Sequence, residues 1–552
     1  MQTLLIPAAA AAAVAAAPSF ELPLAPNRVS VRSPPPAAVK TLWLESTDPK
    51  KNVSLSTSPP KTSSTTAAAQ SFLIPDAPAA APPSDDQPSP ALCRVSVRSP
   101  PPATVTTLRR EKDPKKRVVI TGMGVVSVFG NDADAFYDRL LAGESGVVPI
   151  DRFDASAFPT RFAAQIRDFY SEGLVDGRNG RRLDDCHRYA LVAAKKALES
   201  AALAVGSRAM NKIDKERAGV VVGSGIGGVT EFSAAVEALA AEGPTEISSL
   251  AIPLMTSNAA SALIAMDRGI GFMGPNYSVS AAGATANHCL HSAADQIRLG
   301  RADVMIAGGT DAAVVPAGLG AFAASGALSQ RNDDPGTASR PWDRDRDGFV
   351  LGEGAGVLVM ESLEHAMLRE APIFAEYLGG AATCDAYHLT NPRPDGRGIA
   401  LCINRSLEDA GVAPEEVNYI NAHATSSILG DLAELEALKQ VFKAPNQMIK
   451  MNATKALHDR ALPRRSWRFG GNRHYQSYKY RMGASNYKPN FVQHLCSVKL
   501  QNPDPACPFD QFDTVHNVKQ QHKVHVGISN SFGFGGHNSV VVFAPYQHNS
   551  FY

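Results

Sequence analysis

Net charge is almost absent from this chain: 54 lysines and arginines stand against 53 aspartates and glutamates, a balance of +1. That balance gives no field for nucleic acid or a membrane surface, and leaves open only a local basic patch for an acidic partner. Cysteine is scarce, with seven residues at 93, 186, 289, 384, 402, 496 and 507. None falls in a CxxC or another short paired spacing, so neither a disulfide scaffold nor a zinc site is indicated, and a reducing compartment fits. Long apolar runs are missing as well. The N-terminal alanine tract is the nearest approach, and alanine is too weakly apolar to make it a convincing membrane span.

Residues 1–112 are also poor in aromatics, with only Phe20, Trp43 and Phe72, and without sustained periodicity, and acidic residues are few before Asp85. This stretch, rich in Ala, Pro, Ser and Thr, reads as a disordered leader of the kind that targets a plastid. It holds a duplication. Arg28-Val-Ser-Val-Arg-Ser-Pro-Pro-Pro-Ala recurs from Arg94, and Asp48-Pro-Lys-Lys51 recurs as Asp113-Pro-Lys-Lys116. Two copies do not make a solenoid; they read as a doubled leader of which only the second copy joins a folded body.

That body opens on the β-branched run from Arg117 and carries further buried-strand patterns at 219–223, 304–307, 356–360, 524–528 and 539–543. Helical patterns such as Tyr189–Leu198 lie between several of them, so the expected class is α/β. The expected organisation is a leader over 1–112, one half over 113–370 and a second over 371–552.

Four segments carry chemistry. In Gly274-Pro-Asn-Tyr-Ser-Val-Ser-Ala-Ala-Gly-Ala-Thr-Ala-Asn-His-Cys289 a strand-like Tyr277–Ser280 passes through small residues into a helical pattern. A helix N-terminus would favour a thiolate, yet alone this segment is only a strand-to-helix joint. The second is Asn421-Ala-His-Ala-Thr-Ser-Ser-Ile-Leu-Gly-Asp-Leu-Ala-Glu434, and the third is Lys450-Met-Asn-Ala-Thr-Lys455. The fourth, Gly527-Ile-Ser-Asn-Ser-Phe-Gly-Phe-Gly-Gly-His-Asn538, reads as a glycine-rich loop in which Gly533 or Gly535 needs positive φ. It fails as a phosphate loop for want of the lysine and the spacing. Arg340–Gly354 adds an alternation, Asp345-Arg346-Asp347, that lacks calcium-loop spacing and reads as a salt-bridged turn.

Together these segments resemble the plant type I β-ketoacyl-acyl-carrier-protein (ACP) synthases, from Asp113 to about Lys455 and again from about Asn502 to Phe543. The resemblance implies the thiolase fold, two similar α/β halves in five layers, with the site between the halves. It implies a homodimer, or a dimer with an active paralogue, in the plastid stroma. It also implies substrates held on the phosphopantetheine of ACP, with no cofactor and no metal of the chain's own. His423 would polarise the thioester carbonyl of malonyl-ACP, with Lys455 as the site lysine. Thr425 and Ser427 would contact the phosphopantetheine arm, Phe532 and Phe534 would gate the acyl pocket, and Asp431 and Glu434 would sit behind the site.

Two catalytic positions depart from the pattern. The nucleophilic cysteine falls on Gly283, which has no side chain to form a thioester, and the second imidazole falls on Arg460. Around Arg460 the stretch 456–501 reads unlike an α/β core, with arginines at 460, 464, 465, 468 and 473 where the family has a small-residue helix. Codons compatible with His458-Asp-Arg-Ala-Leu-Pro-Arg-Arg465, read one base later, spell Met-Ile-Gly-His-Cys-Leu-Gly, the missing motif with its histidine. A frameshift, in the gene or in its reading, is therefore expected over 456–501, with the family frame resuming near Asn502. Three readings follow: a plastid synthase that condenses acyl-ACP with malonyl-ACP, a condensation-inactive homologue that binds ACP or pairs with an active subunit, and a pseudogene or misread-gene product.

Overall fold

The computed structural model describes residues 110–176, 180–443, 448–454, 492–495, 500–507 and 510–546. The leader up to 109, Lys455, Arg460 and almost all of the 456–501 stretch lie outside them. The second Asp-Pro-Lys-Lys copy lies inside. Asp113 closes a turn there, its carbonyl accepting from Lys116 N and Arg117 N, and Pro114 O accepts from Glu364 N at 3.1 Å.

Two sets of five strands, with Phe512–Asp513 added at the outer edge beside Ile449–Asn452, build the eleven-stranded sheet that positions the site. In the first half they are β1 (Val118–Val126), β2 (Ala218–Gly223), β3 (Asn276–Tyr277), β4 (Val304–Ala312) and β5 (Glu353–Ser362). In the second half they are β6 (Ala375–Cys384), β7 (Tyr419–Asn421), β8 (Ile449–Asn452), β9 (Gly527–Gly533) and β10 (His537–Ala544). The spatial order is β3-β2-β4-β5-β1 in the first half and β8-β7-β9-β10-β6 in the second. Each is third, second, fourth, fifth, first, so the two halves repeat one topology. They meet where β1 pairs antiparallel with β6 through Val118–Ile120 and Ala375–Tyr377.

The strands run apolar on both faces because helices cover both. Helix α1 (Asp185–Ser200) covers the outer face of the first half; its N-terminus is capped by the Asp184 carboxylate, which accepts from Cys186 N at 3.0 Å. Helix α2 (Ala259–Met266) packs beside it in the same core. Helix α3 (Thr285–Arg298) lies in the central layer: Ala286, Leu290, Ala293 and Ile297 share one core with Val221 and Met305 of the first half and with Tyr377 and Val541 of the second. Helices α4 (Arg397–Ala410) and α5 (Ile428–Val441) cover the outer face of the second half. The layers therefore alternate helix, sheet, helix, sheet, helix.

Two sequence expectations change. The strand expected over 524–528 begins at Gly527 instead, with Val524 and Val526 buried ahead of it and Gln520–Lys523 paired to Val492–Leu495. The segment 527–538 is no loop: β9 and β10 form an antiparallel hairpin whose register runs Gly527↔Phe543 to Gly533↔His537. Gly535 (φ +87°) and Gly536 (φ +72°) make its turn, as only residues tolerant of left-handed backbone can. Gly533 serves a different need, because a Cβ there would stand 2.4 Å from Ala281 O.

Candidate functional site

Gly283 lies at the joint between β3 and α3, in a 3₁₀ turn over Ala282–Ala284, and is buried. Ala282, just before it, sits at φ +45°, a strained value for a residue with a Cβ. The turn is locked by Ala281 N, which donates to Thr285 Oγ1 at 2.8 Å, and by the β9 backbone at Gly533. The fold thus builds the sharp strand-to-helix turn and places at its apex a residue with no nucleophile. Cys289 does not substitute for it. Its thiol is fully buried in the central core, and burial pushes its pKa up to about 12. Under native conditions at pH 8, iodoacetamide should label the exposed Cys384 and leave Cys289 untouched, as read by peptide mapping. Native labelling of Cys289 at a free-thiol rate would refute this placement.

The segment after β7 supplies the imidazole. His423 N and Ala424 N donate to the two Glu434 carboxylate oxygens at 2.9 and 2.8 Å, and Asn530 Nδ2 donates to the same carboxylate at 2.9 Å. Glu434 on α5 thereby ties the His423 segment to β9. The His423 ring meets Phe532 edge to face at 5.1 Å. Thr425 and Ser427 follow at every second residue, their hydroxyls 3.2 Å apart. His423, Thr425, Ser427, Phe532 and Phe534 all line one cavity of about 280 Å³, so five of the expected site residues converge.

Asp431 sits behind that wall, fully buried. It accepts from Ser426 N and Trp342 N, both at 3.1 Å, and faces Arg346 Nε at 3.4 Å. Burial pushes its carboxyl up to about 7, against the pull of the Arg346 guanidinium and those two N–H groups. Arg346 does form the expected salt-bridged turn, but with distant partners: Asp431 and, at 2.8 Å, Asp504. The chain rejoins this network where the family frame was expected to resume, since Asp343 Oδ2 accepts from Gln501 N and Asn502 N, both at 2.9 Å.

Lys455 and Arg460 lie outside the described residues. The sequence reading missed Phe349, Asp385, Asn391 and Asn538, which also line the cavity. Phe349 and Asn538 stood inside matched segments without being singled out. Asp385 and Asn391 sit in a loop with no periodicity to mark them; Asp385 accepts from Asn538 Nδ2 at 2.7 Å and from Arg393 N at 3.0 Å. Among the described residues, no group of three or more His, Cys, Asp or Glu is placed to hold a metal ion.

Comparison with known proteins bears on this arrangement directly. The Beta-ketoacyl synthase N-terminal domain matches residues 115–366, and its C-terminal domain matches 374–462. The chain belongs to the β-ketoacyl synthase family. The second match ends inside the stretch whose sequence departs from the family pattern. The chain is 60% identical over 445 residues to 3-oxoacyl-[acyl-carrier-protein] synthase I, chloroplastic, of Hordeum vulgare, covering 81% of this chain and 92% of that one. The Arabidopsis thaliana protein of the same name is 59% identical over 445 residues, 81% of this chain and 90% of the relative. Among solved structures, a β-ketoacyl synthase from Burkholderia phymatum superposes with a TM-score of 0.66 at 28% identity, over 78% of this chain and 100% of that one. A type II polyketide ketosynthase solved in complex with its acyl-carrier protein gives a TM-score of 0.65 at 28% identity, over 78% of this chain and 99% of that one. These synthase neighbours carry the thiolase-like fold that the repeated half-topology displays.

Proposed function

We propose that this chain works in plastid fatty-acid synthesis as a 3-oxoacyl-ACP synthase homologue, taking acyl groups from ACP into the cavity between β7, β9 and the 347–349 and 385–392 loops. The observation that carries this reading is the convergence of His423, Thr425, Ser427, Phe532 and Phe534 on that single cavity. The phosphopantetheine arm runs past Thr425 and Ser427, whose paired hydroxyls meet its amides. The aromatic pair shields the acyl chain, and His423 donates toward the thioester carbonyl, where negative charge grows as malonyl-ACP loses carbon dioxide. The family pattern gives Lys455 a supporting catalytic role, and no cofactor beyond the carrier's own arm enters.

In the family's reaction the acyl group first passes from ACP to a cysteine, and a decarboxylated malonyl carbanion then attacks the thioester. Gly283 cannot hold that acyl group. This favours a second reading, a condensation-inactive member that binds ACP or pairs with an active subunit. An exposed stripe of Phe232, Val236 and Leu239 on the helix Val229–Ala241 supports association with a second chain of this fold, an identical copy or an active paralogue.

Titration with hexanoyl-ACP separates these readings from none at all. Saturable binding is expected, weakened about tenfold by Thr425→Ala through loss of one hydrogen bond in a desolvated site. No binding by the wild-type chain would overturn both readings.

A further inference from the structure

Along 423–427 the residues alternate. His423, Thr425 and Ser427 face the cavity, while Ala424 and Ser426 turn away from it. The two that turn away have left-handed backbone, Ala424 at φ +25° and Ser426 at φ +73°. Such values are strained for non-glycine residues and persist only where the surroundings enforce them. At Ser426 the enforcement is visible. The residue is fully buried, its hydroxyl accepts from Arg340 N at 3.0 Å, its N–H donates to Asp431 at 3.1 Å, and its carbonyl accepts from Gly348 N at 3.2 Å. Trp342, also left-handed at φ +63°, donates its N–H to the same Asp431 carboxylate.

We propose that Ser426 is a positioning residue: its hydroxyl, by holding Arg340 N, fixes the kink that turns His423, Thr425 and Ser427 together into the cavity. It touches no substrate. Its effect passes through the three residues beside it, and the inference rests on the reading of this cavity as the acyl-phosphopantetheine site. Without the hydroxyl, Arg340 N is left buried and unpaired, and the backbone is free to relax towards ordinary values.

Two variants of the full chain test this. Ser426→Ala removes the hydroxyl. Ser426→Gly also removes it but accepts left-handed backbone without strain, so it should melt no lower than Ser426→Ala. Both are expected to bind hexanoyl-phosphopantetheine about tenfold more weakly than the wild type. Both should also shift the NMR pH titration of the His423 imidazole, a signal that a merely structural change would leave in place. Folded variants with wild-type affinity and an unmoved His423 titration would overturn the positioning role alone. A wild-type chain that fails to bind the probe would instead overturn the cavity's assignment, and this inference with it.

Discussion

Incubated with hexanoyl-ACP, the purified chain should show no acyl adduct by intact-mass analysis, whereas Gly283→Cys should acquire one stoichiometrically. The contrast is all or none, because acyl transfer needs a nucleophilic atom at the apex of the turn and glycine offers none. The setting that would activate a thiol persists. Position 283 lies in the 3₁₀ turn over Ala282–Ala284, immediately before the N-terminus of α3, and Gly533 keeps β9 close beside it. Cys289 cannot supply the adduct from the core. A wild-type adduct on Cys289 would contradict the placement of both residues. Acylation of Gly283→Cys is a separate matter from condensation: by the family pattern the second imidazole falls at sequence position 460, where this chain has arginine, so the restored thiol alone is expected to leave condensation unrestored.

The second large effect concerns stability. Arg346→Ala should cost about 3–5 kcal/mol, the usual consequence of stranding a buried charge by removing its partner. The Arg346 side chain is 1% exposed and the Asp431 side chain is fully buried. The guanidinium also donates to Asp504 at 2.8 Å, to Asp343 O at 2.7 Å and to Ile428 O at 3.2 Å. It therefore joins the 340–348 turn, the start of α5 and the 500–507 segment, and its loss loosens all three. Urea unfolding of wild type and variant side by side measures this, and equal midpoints and slopes would show that the network is dispensable.

Arg346 also marks the limit of what the sequence made legible. The Asp345-Arg346-Asp347 alternation announced a salt-bridged turn, but pairing with Asp431 and Asp504 is a property of the fold, and no local pattern encodes it. The strand opening at Val118 and the 304–307 part of the strand Val304–Ala312 were visible because both faces are buried and their residues are mostly apolar and β-branched. Of the β9–β10 hairpin, the apolar run 539–543 was visible and most of the rest was not. Its buried residues include Ser529, Asn530, Ser531 and Asn538, which pair by hydrogen bonds and give no apolar period, while its glycines read as loop punctuation. The site residues were legible for another reason: His423, Thr425, Ser427, Phe532 and Phe534 stand in two fixed words that resemble one family. Asp385 and Asn391, outside those words, needed the fold to bring them to the cavity.

The central claim is that the cavity walled by His423, Thr425 and Phe532 receives a carrier-borne acyl chain even though position 283 cannot hold it covalently. ACP charged with an acyl chain bearing a photoreactive diazirine, irradiated with the full-length chain and mapped by peptide mass spectrometry, tests that claim most directly. Label confined to peptides containing Phe349, Phe532 or Phe534, and abolished by excess unlabelled acyl-ACP, is the expected result. Label spread over other surfaces, or none that excess acyl-ACP displaces, would contradict it.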